Sequence, residues 1–248
     1  MPSGQISRRR LLRNSLAAGT ALFLGPSALG AREYRGGSAP PWAPNVADEP
    51  YYGTEPGNYF TPAERRAADA LTARIIPSDA NGPGAREADV ITFLDRQLAG
   101  FYGRGQRWYM SGPFPEPLDT QGYQSEHTPA ALWRHGLAAL DAHCSATHDG
   151  RDFVDLSEEE QDTVLRAIDD GEIEFEGVSA KQFFDFAKEM TVEGYFCDPI
   201  YGGNRDMTAW RYVGFPGARY DYRDYLQHNG ARVELPPVGL LGAPHWNR

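Results

Sequence analysis

"TPAERRAADALTARIIP", Thr61 to Pro77, carries a start signal, a face and a stop. Threonine, then proline, then glutamate three positions after the threonine is the pattern of a capped helix. The Thr61 hydroxyl takes an orphan backbone N–H while Glu64 reaches back to the N-cap. Ala67, Leu71 and Ile75 recur every fourth residue on one helical face, and Pro77 forbids continuation. Four more segments read the same way. The spacing predicts a second helix from about Ala85 to Phe101, with Val90, Leu94, Leu98 and Phe101 on one face. Thr128 and Pro129 open a third, striped by Trp133, Leu137, Leu140 and Cys144. Ser157 opens a fourth, with Glu158, Glu159 and Glu160 where negative charge suits the helix dipole and Val164, Leu165 and Ile168 as its buried side. Ser179 and Gln182 open a fifth, carrying Phe183, Phe184, Ala187 and Met190. No segment sustains strand alternation and no repeat recurs. The predicted fold class is mainly α, a compact core of about five helices.

Long irregular stretches flank that core. Residues 31–60 are rich in Pro, Gly and Tyr and have almost no periodicity, so they read as an extended N-terminal arm that wraps along a surface. Another Gly/Pro/Tyr loop runs from Tyr102 to His127, and the chain after Cys197 is predicted to be irregular to its end. Segments rich in Tyr, Trp and Pro offer large contact area with little side-chain entropy to lose, which suits an interface. The expected organisation is therefore 1–30 leader, 31–60 arm, and 61–248 helical domain with an irregular tail.

The leader rests on composition. "SRRRLLRNSLAAGTALFLGPSALGA" opens with four arginines and no acids, and runs through a short apolar stretch from Leu16 to Leu24. It reaches the small residues Ala28 and Gly30 at the spacing a signal peptidase reads. Arg8 and Arg9, followed by Arg10-Leu11-Leu12-Arg13, resemble a twin-arginine export signal; the alternative is a general secretory leader with a basic front. The apolar stretch is short for a membrane span. The whole chain carries a net charge of −10, and loss of 1–30 removes four of 24 basic residues and none of 34 acidic ones, leaving −14. So acidic a chain has no basic footprint for nucleic acid or anionic lipid.

A twin-arginine address suits a protein folded around a cofactor, yet cofactor chemistry is missing from this sequence. There is no G-x-G-x-x-G opening a helix after a strand, and "GFYGRG" at Gly100–Gly105 has the wrong spacing. C-x-x-C-H, H-E-x-x-H and G-x-S-x-G are all absent. Two cysteines, Cys144 and Cys197, cannot hold a Cys-ligated iron–sulfur cluster within this chain alone. His127, His135, His143 and His148 cluster in sequence, but His135 and His143 stand about 12 Å apart along a helix, too far for one ion. They read as surface histidines. The expectation is no catalytic, cofactor-binding or metal-binding residue in this chain.

Three stretches carry a family resemblance: "RIIPSDANGPGAREADVITFLDRQL" (74–98), "FVDLSEEEQDTVLRAIDDG" (153–171) and "TVEGYFCDPIYGGNRDMTAWRYVGFPGARYDY" (191–222). They resemble the small third subunit, also called gamma, of bacterial membrane-bound gluconate 2-dehydrogenase, from about Thr61 to the C-terminus. The most specific residues are Glu193-Gly194-Tyr195, Asp198 to Asn204, Trp210 and Gly214 to Gly217. The resemblance implies a non-catalytic accessory subunit that supports folding, twin-arginine export and stability of a large FAD-containing subunit. It also implies a multihaem cytochrome c partner, and a periplasmic complex associated with the inner membrane, acting on gluconate or a similar sugar acid. On that reading FAD and haem c sit in partner subunits. The rival is a stand-alone periplasmic protein that binds a metal or a sugar acid.

The loop "CDPIYGGNRDMTAW", Cys197 to Trp210, then becomes the expected partner interface. Tyr201 and Trp210 would be apolar anchors, Arg205 and Arg211 oriented donors, and Gly202 and Gly203 the sharp bend. Cys197, Asp198 and Asn204 belong to the same motif. The loop reads equally as one that packs on its own core with Trp210 inside; a phosphate cradle fits poorly, since no G-K-[ST] and no helix start follow the glycines. Three cysteine states are open: Cys197 joined to the flavin subunit with Cys144 free, a Cys144–Cys197 bridge needing Cα atoms about 5.5–6 Å apart, or two free thiols.

Overall fold

Four of the five predicted helix starts are met by their caps. Thr61 Oγ1 accepts from Glu64 N (3.3 Å) while Thr61 N donates to Glu64 Oε2 (2.7 Å). Ser157 and Glu160 repeat this capping box, and Thr128 and Ser179 accept from Ala131 N and Gln182 N. The structure, a computed structural model, describes residues 59–106, 108, 110–114, 121–219, 222–223, 226, 230 and 235–240. The leader with Arg8 and Arg9, and residues 31–58 of the arm, lie outside these residues. Among the described residues six α-helices form: α1 (Pro62–Ile75), α2 (Val90–Ala99), α3 (Pro129–Thr147), α4 (Glu158–Asp169), α5 (Ala180–Phe196) and α6 (Thr208–Val213). The fold is mainly α. No strand occurs among them; one isolated parallel bridge joins Gly217 and Val238.

Three boundaries differ from expectation. Helix α2 begins at Val90 rather than Ala85, because 85–89 form turns and Asp89 adopts a left-handed backbone (φ 55°) that a helix cannot continue through. Phe101 therefore lies past the helix end and is half exposed instead of completing the buried stripe. Within the tail read as irregular, Thr208–Val213 forms a short helix, a sixth beyond the five expected. Tyr59 and Phe60, read as the end of the arm, belong to the folded core: the Phe60 ring lies 6.0 Å from Trp133, and the Tyr59 hydroxyl donates to the Ala130 carbonyl.

Helix α5 is the centre and touches the other five. Its Phe183 ring meets Trp133 of α3 edge-on at 5.7 Å, and the Trp133 indole N–H donates to Met190 Sδ at 3.1 Å. That approach requires glycine at position 136, where a Cβ would fall 2.2 Å from the Phe183 ring. Trp133, Phe183 and Met190 are fully buried with Leu71, Leu94, Leu132, Leu137, Leu140 and Ile168. The periodic residues of five separate helices thus meet in one core.

One carboxylate fixes where the chain enters this core. Asp95, 2 % exposed, accepts from the backbone N–H groups of Tyr59 (3.1 Å) and Phe60 (2.9 Å) and from Arg65 Nη1 (3.2 Å). Asp95→Ala should leave two partly buried N–H donors and the Arg65 charge without their acceptor, at a cost of about 3 kcal/mol. For a domain of this size, a thermal melt should show Tm lowered by about 6–12 °C. An unchanged Tm would mean that water replaces Asp95 at no cost.

Candidate functional site

The loop after α5 is built on two glycines. A Cβ on Gly203 would fall 2.0 Å from the Gly194 carbonyl oxygen and 3.0 Å from Cys197 Sγ, so the loop backbone lies directly on the α5 backbone. Gly194 has its own tight neighbour on another side, since a Cβ there would come within 2.7 Å of the Phe93 ring. Gly202, with φ 105°, turns the chain and leaves room for the Arg96 guanidinium beneath it. Cys197 is partly buried in the angle, its Sγ donating to the Gly194 carbonyl at 3.3 Å. Burial pushes its thiol up to about 12. Cys144, buried in the apolar stripe of α3, is pushed up to about 12 by the same cause. Both cysteines are free thiols in this structure.

Asn204 closes the loop. It is fully buried; its Nδ2 donates to the Cys197 carbonyl (2.9 Å) and its Oδ1 accepts from Ala209 N (2.9 Å). One side chain therefore satisfies two buried backbone groups on either arm of the loop. Arg205 N then donates to the Ala88 carbonyl (3.0 Å) and its guanidinium pairs with Asp89, tying the loop to the turn before α2. Four of the five described non-glycine residues with positive φ stand at this contact: Asp89, Asn204, Asp206 and Met207. Left-handed backbone costs roughly 1 kcal/mol or more at each such residue, so surrounding contacts must hold it.

The predicted interface residues divide between inside and outside. Trp210 is turned inward, 6 % exposed, with its indole N–H donating to the Phe196 carbonyl at 2.8 Å. It packs on its own chain and offers no ring to a partner, because its indole fills the space between α6 and the end of α5. Asn204, Gly202 and Gly203 are buried as well. Arg205 is exposed but already paired, while Tyr201 and Arg211 face outward. After α6 the chain reverses: Gly214 takes φ 73°, Phe215 N donates to the Trp210 carbonyl (2.8 Å) and Gly214 N to the Arg211 carbonyl (3.3 Å). This is a Schellman motif, with its usual apolar contact made by Phe215 and Trp210 at 5.1 Å.

Asp198 brings the end of the chain onto the loop. Its Oδ1 accepts from Ile200 N (3.0 Å) and its Oδ2 from Leu240 N (2.7 Å). Near the same place Gly217 pairs with Val238, and a Cβ at Gly217 would strike the Val238 carbonyl at 2.2 Å. Arg219 Nη2 donates to the Pro236 carbonyl at 2.6 Å. The segment 235–240 is thus a structural part of the loop.

Sequence reasoning named Tyr201 and Arg211 on the outside and missed the other exposed apolar residues here. Val192 and Phe196 on α5, Tyr212 and Val213 on α6, and Phe215 after it are all exposed large apolar residues, as is Tyr201. Val192 and Phe196 are four apart, one helical face away from the buried stripe, and that spacing was the available signal. His127 and His135 meet ring to ring at 5.0 Å beside a cavity of about 640 Å³ that His143 and Phe175 also line. Among the described residues no three His, Cys, Asp or Glu side chains converge to hold an ion. No described helix is long and apolar enough to cross a membrane.

The family described as gluconate 2-dehydrogenase subunit 3 matches residues 62–217, from the first residue of α1 to the glycine that meets Val238. Searches among curated proteins and among solved structures give no match.

Asn204→Ala should remove both loop-closing bonds and lower stability by about 2–3 kcal/mol. Asn204→Gly should recover only the backbone part, about 1 kcal/mol. Thermal melts of the two variants side by side separate hydrogen bonding from strain. Thiols with pKa about 12 are almost wholly protonated at pH 8, so a colorimetric thiol reagent should find no fast-reacting cysteine in the folded chain and two after denaturation. A fast thiol in the folded state would mean that the Gly194–Gly203 contact opens.

Proposed function

This chain belongs to the gluconate 2-dehydrogenase subunit 3 family, subunits of an oxidoreductase complex, and from that premise we propose that it is the non-catalytic accessory subunit of an FAD-dependent dehydrogenase. It supports folding, export and stability of a large flavin subunit, and the complex passes electrons to a multihaem cytochrome c. The basic leader, read as a twin-arginine signal, carries the assembled pair to the periplasm, where the complex sits at the inner membrane. FAD and haem c belong to the partners; the substrate is gluconate or a related sugar acid.

The observation that carries this reading is the outward face of the loop. Val192, Phe196, Tyr201, Tyr212, Val213 and Phe215 fall within 24 residues of chain, all exposed and all inside the family match. Large apolar side chains gathered on a held backbone are the makings of a protein interface. The loop beneath is fixed by Asn204, Asp198 and the Arg205–Asp89 pair, so docking orders little that is not already ordered. Arg211 adds an exposed donor at its edge. Trp210 supports the surface from below. A disulfide from Cys197, which is only partly buried, to a cysteine of the flavin subunit belongs to the same proposal; the two thiols give up two electrons and two protons to a disulfide oxidant of the periplasm.

The test is capture of the tagged chain from its native host, read by visible absorbance and by non-reducing gel. The expected result is a yellow, stoichiometric large partner. Val192→Glu and Val213→Glu, both at exposed sites, should leave the melt within about 0.5 kcal/mol of the parent and lower flavin recovery by about tenfold or more. A colourless single chain that binds a metal or a sugar acid by itself would overturn the accessory role. A band that separates only on reduction would place Cys197 in the interface.

A further inference from the structure

A second feature lies along α5, one turn before the apolar face. Tyr102 and Trp108 meet at 5.4 Å and an interplanar angle of 77°; Trp108 and Tyr123 meet at 4.6 Å; Tyr123 and Phe186 meet at 5.4 Å. These rings wall an open cavity of about 610 Å³, and Glu189 lines it with them. Tyr102, Trp108 and Tyr123 pack against the core and are only partly buried. The wall is pre-formed. Gly103, where a Cβ would fall 1.9 Å from the Leu98 carbonyl oxygen, seats the turn on the end of α2, and Ala130 N donates to the Gly103 carbonyl at 3.0 Å.

Among the described residues that line this cavity the one charged side chain is acidic, Glu189. Glu189 and Glu193 stand four residues apart on the exposed face of α5, where like charges repel. Neither is bonded to a basic side chain among the described residues. Burial and then the Glu189 charge push the Glu193 carboxyl up, and both glutamates act on the Tyr102 hydroxyl, whose own pKa burial raises first. Several other carboxylates have basic partners: Asp162 has Arg74, Glu160 has Arg151, and Asp169 and Asp185 share Lys188. Partly exposed aromatic rings, with Glu189 beside them and Glu193 one turn further along α5, attract the same thing, a cation with an apolar or planar body.

We propose that the cleft of Tyr102, Trp108, Tyr123 and Phe186, lined by Glu189 and with Glu193 one turn further along α5, is a binding site for an organic cation, an alkylammonium or guanidinium group. The rings hold the cation over their faces and the two carboxylates neutralise it. The site stands apart from the accessory role, and its cation has two sources: a free small amine, or a basic side chain projecting from another protein. Its position in line with Val192 and Phe196 on the exposed face of α5 puts it within reach of the second source.

The test uses the full chain, followed through the Trp108 indole N–H resonance, assigned with Trp108→Phe. Tetramethylammonium chloride and N-acetylargininamide are titrated separately at constant ionic strength against sodium chloride. The expected result is a saturable shift for at least one cation, weakened about fivefold or more by Glu189→Gln with Glu193→Gln. These substitutions sit on exposed positions, and an unchanged melt shows the fold intact. Saturation by both cations means that the site takes the charged group itself. Saturation by argininamide alone marks a receptor for a protein side chain, and by tetramethylammonium alone a receptor for a small quaternary amine. Shifts that rise linearly without saturation, or that are the same in the double variant, overturn the proposal.

Discussion

Two backbones meet at Gly194 and Gly203 at a distance that admits no side chain on the loop residue. The candidate site depends on that approach. Because the loop rests on the α5 backbone instead of on side chains, Cys197 is enclosed, Asn204 reaches both arms of the loop, and Trp210 reaches the Phe196 carbonyl. Even an alanine at 203 would have to lift the loop away, and these bonds would stretch together. Glycine here is therefore a packing requirement, distinct from the turn that Gly202 makes with its positive φ.

Helix α5 serves two functions because its faces differ. One side carries Phe183, Ala187 and Met190 into the core against α3, where Gly136 admits the Phe183 ring. The other side carries Glu189, Val192, Glu193 and Phe196 to the surface. A helix gripped by every other helix cannot tilt to adapt, so whatever it presents is presented in a fixed geometry. The left-handed residues at Asp89, Asn204, Asp206 and Met207 fit this picture. Strain of this kind persists only where surrounding contacts over-determine the backbone, and here the Arg205–Asp89 pair, the Asn204 bonds and the Asp198–Leu240 bond do so.

The two cysteines show how similar chemistry arises from different surroundings. Cys144 is a small apolar filler on a helix stripe, and Cys197 is a thiol bonded to a carbonyl in a tight bend. Desolvation raises both pKa values, since a thiolate in either place would lose its water without gaining a cation. Neither is a ready nucleophile in the folded chain.

Capping and periodicity are local, so the sequence by itself determined that helices start at Thr61, Thr128, Ser157 and Ser179 and which of their faces are buried. Each cap is a bond between residues three apart, and each stripe follows from the pitch of one helix. The family, too, was legible in three short stretches. What the tertiary structure decided is everything that depends on residues distant in sequence. Val90 starts α2 because Asp89 is held left-handed by a contact with Arg205, more than a hundred residues away. Trp210 turns inward because the end of α5 offers it a carbonyl, so an anchor suggested by its residue type became a support. The aromatic wall of Tyr102, Trp108, Tyr123 and Phe186 gathers distant residues of one long loop and a helix. No periodicity spans such distances: the pattern of a sequence records what one element needs of itself, and a surface is made where several elements meet.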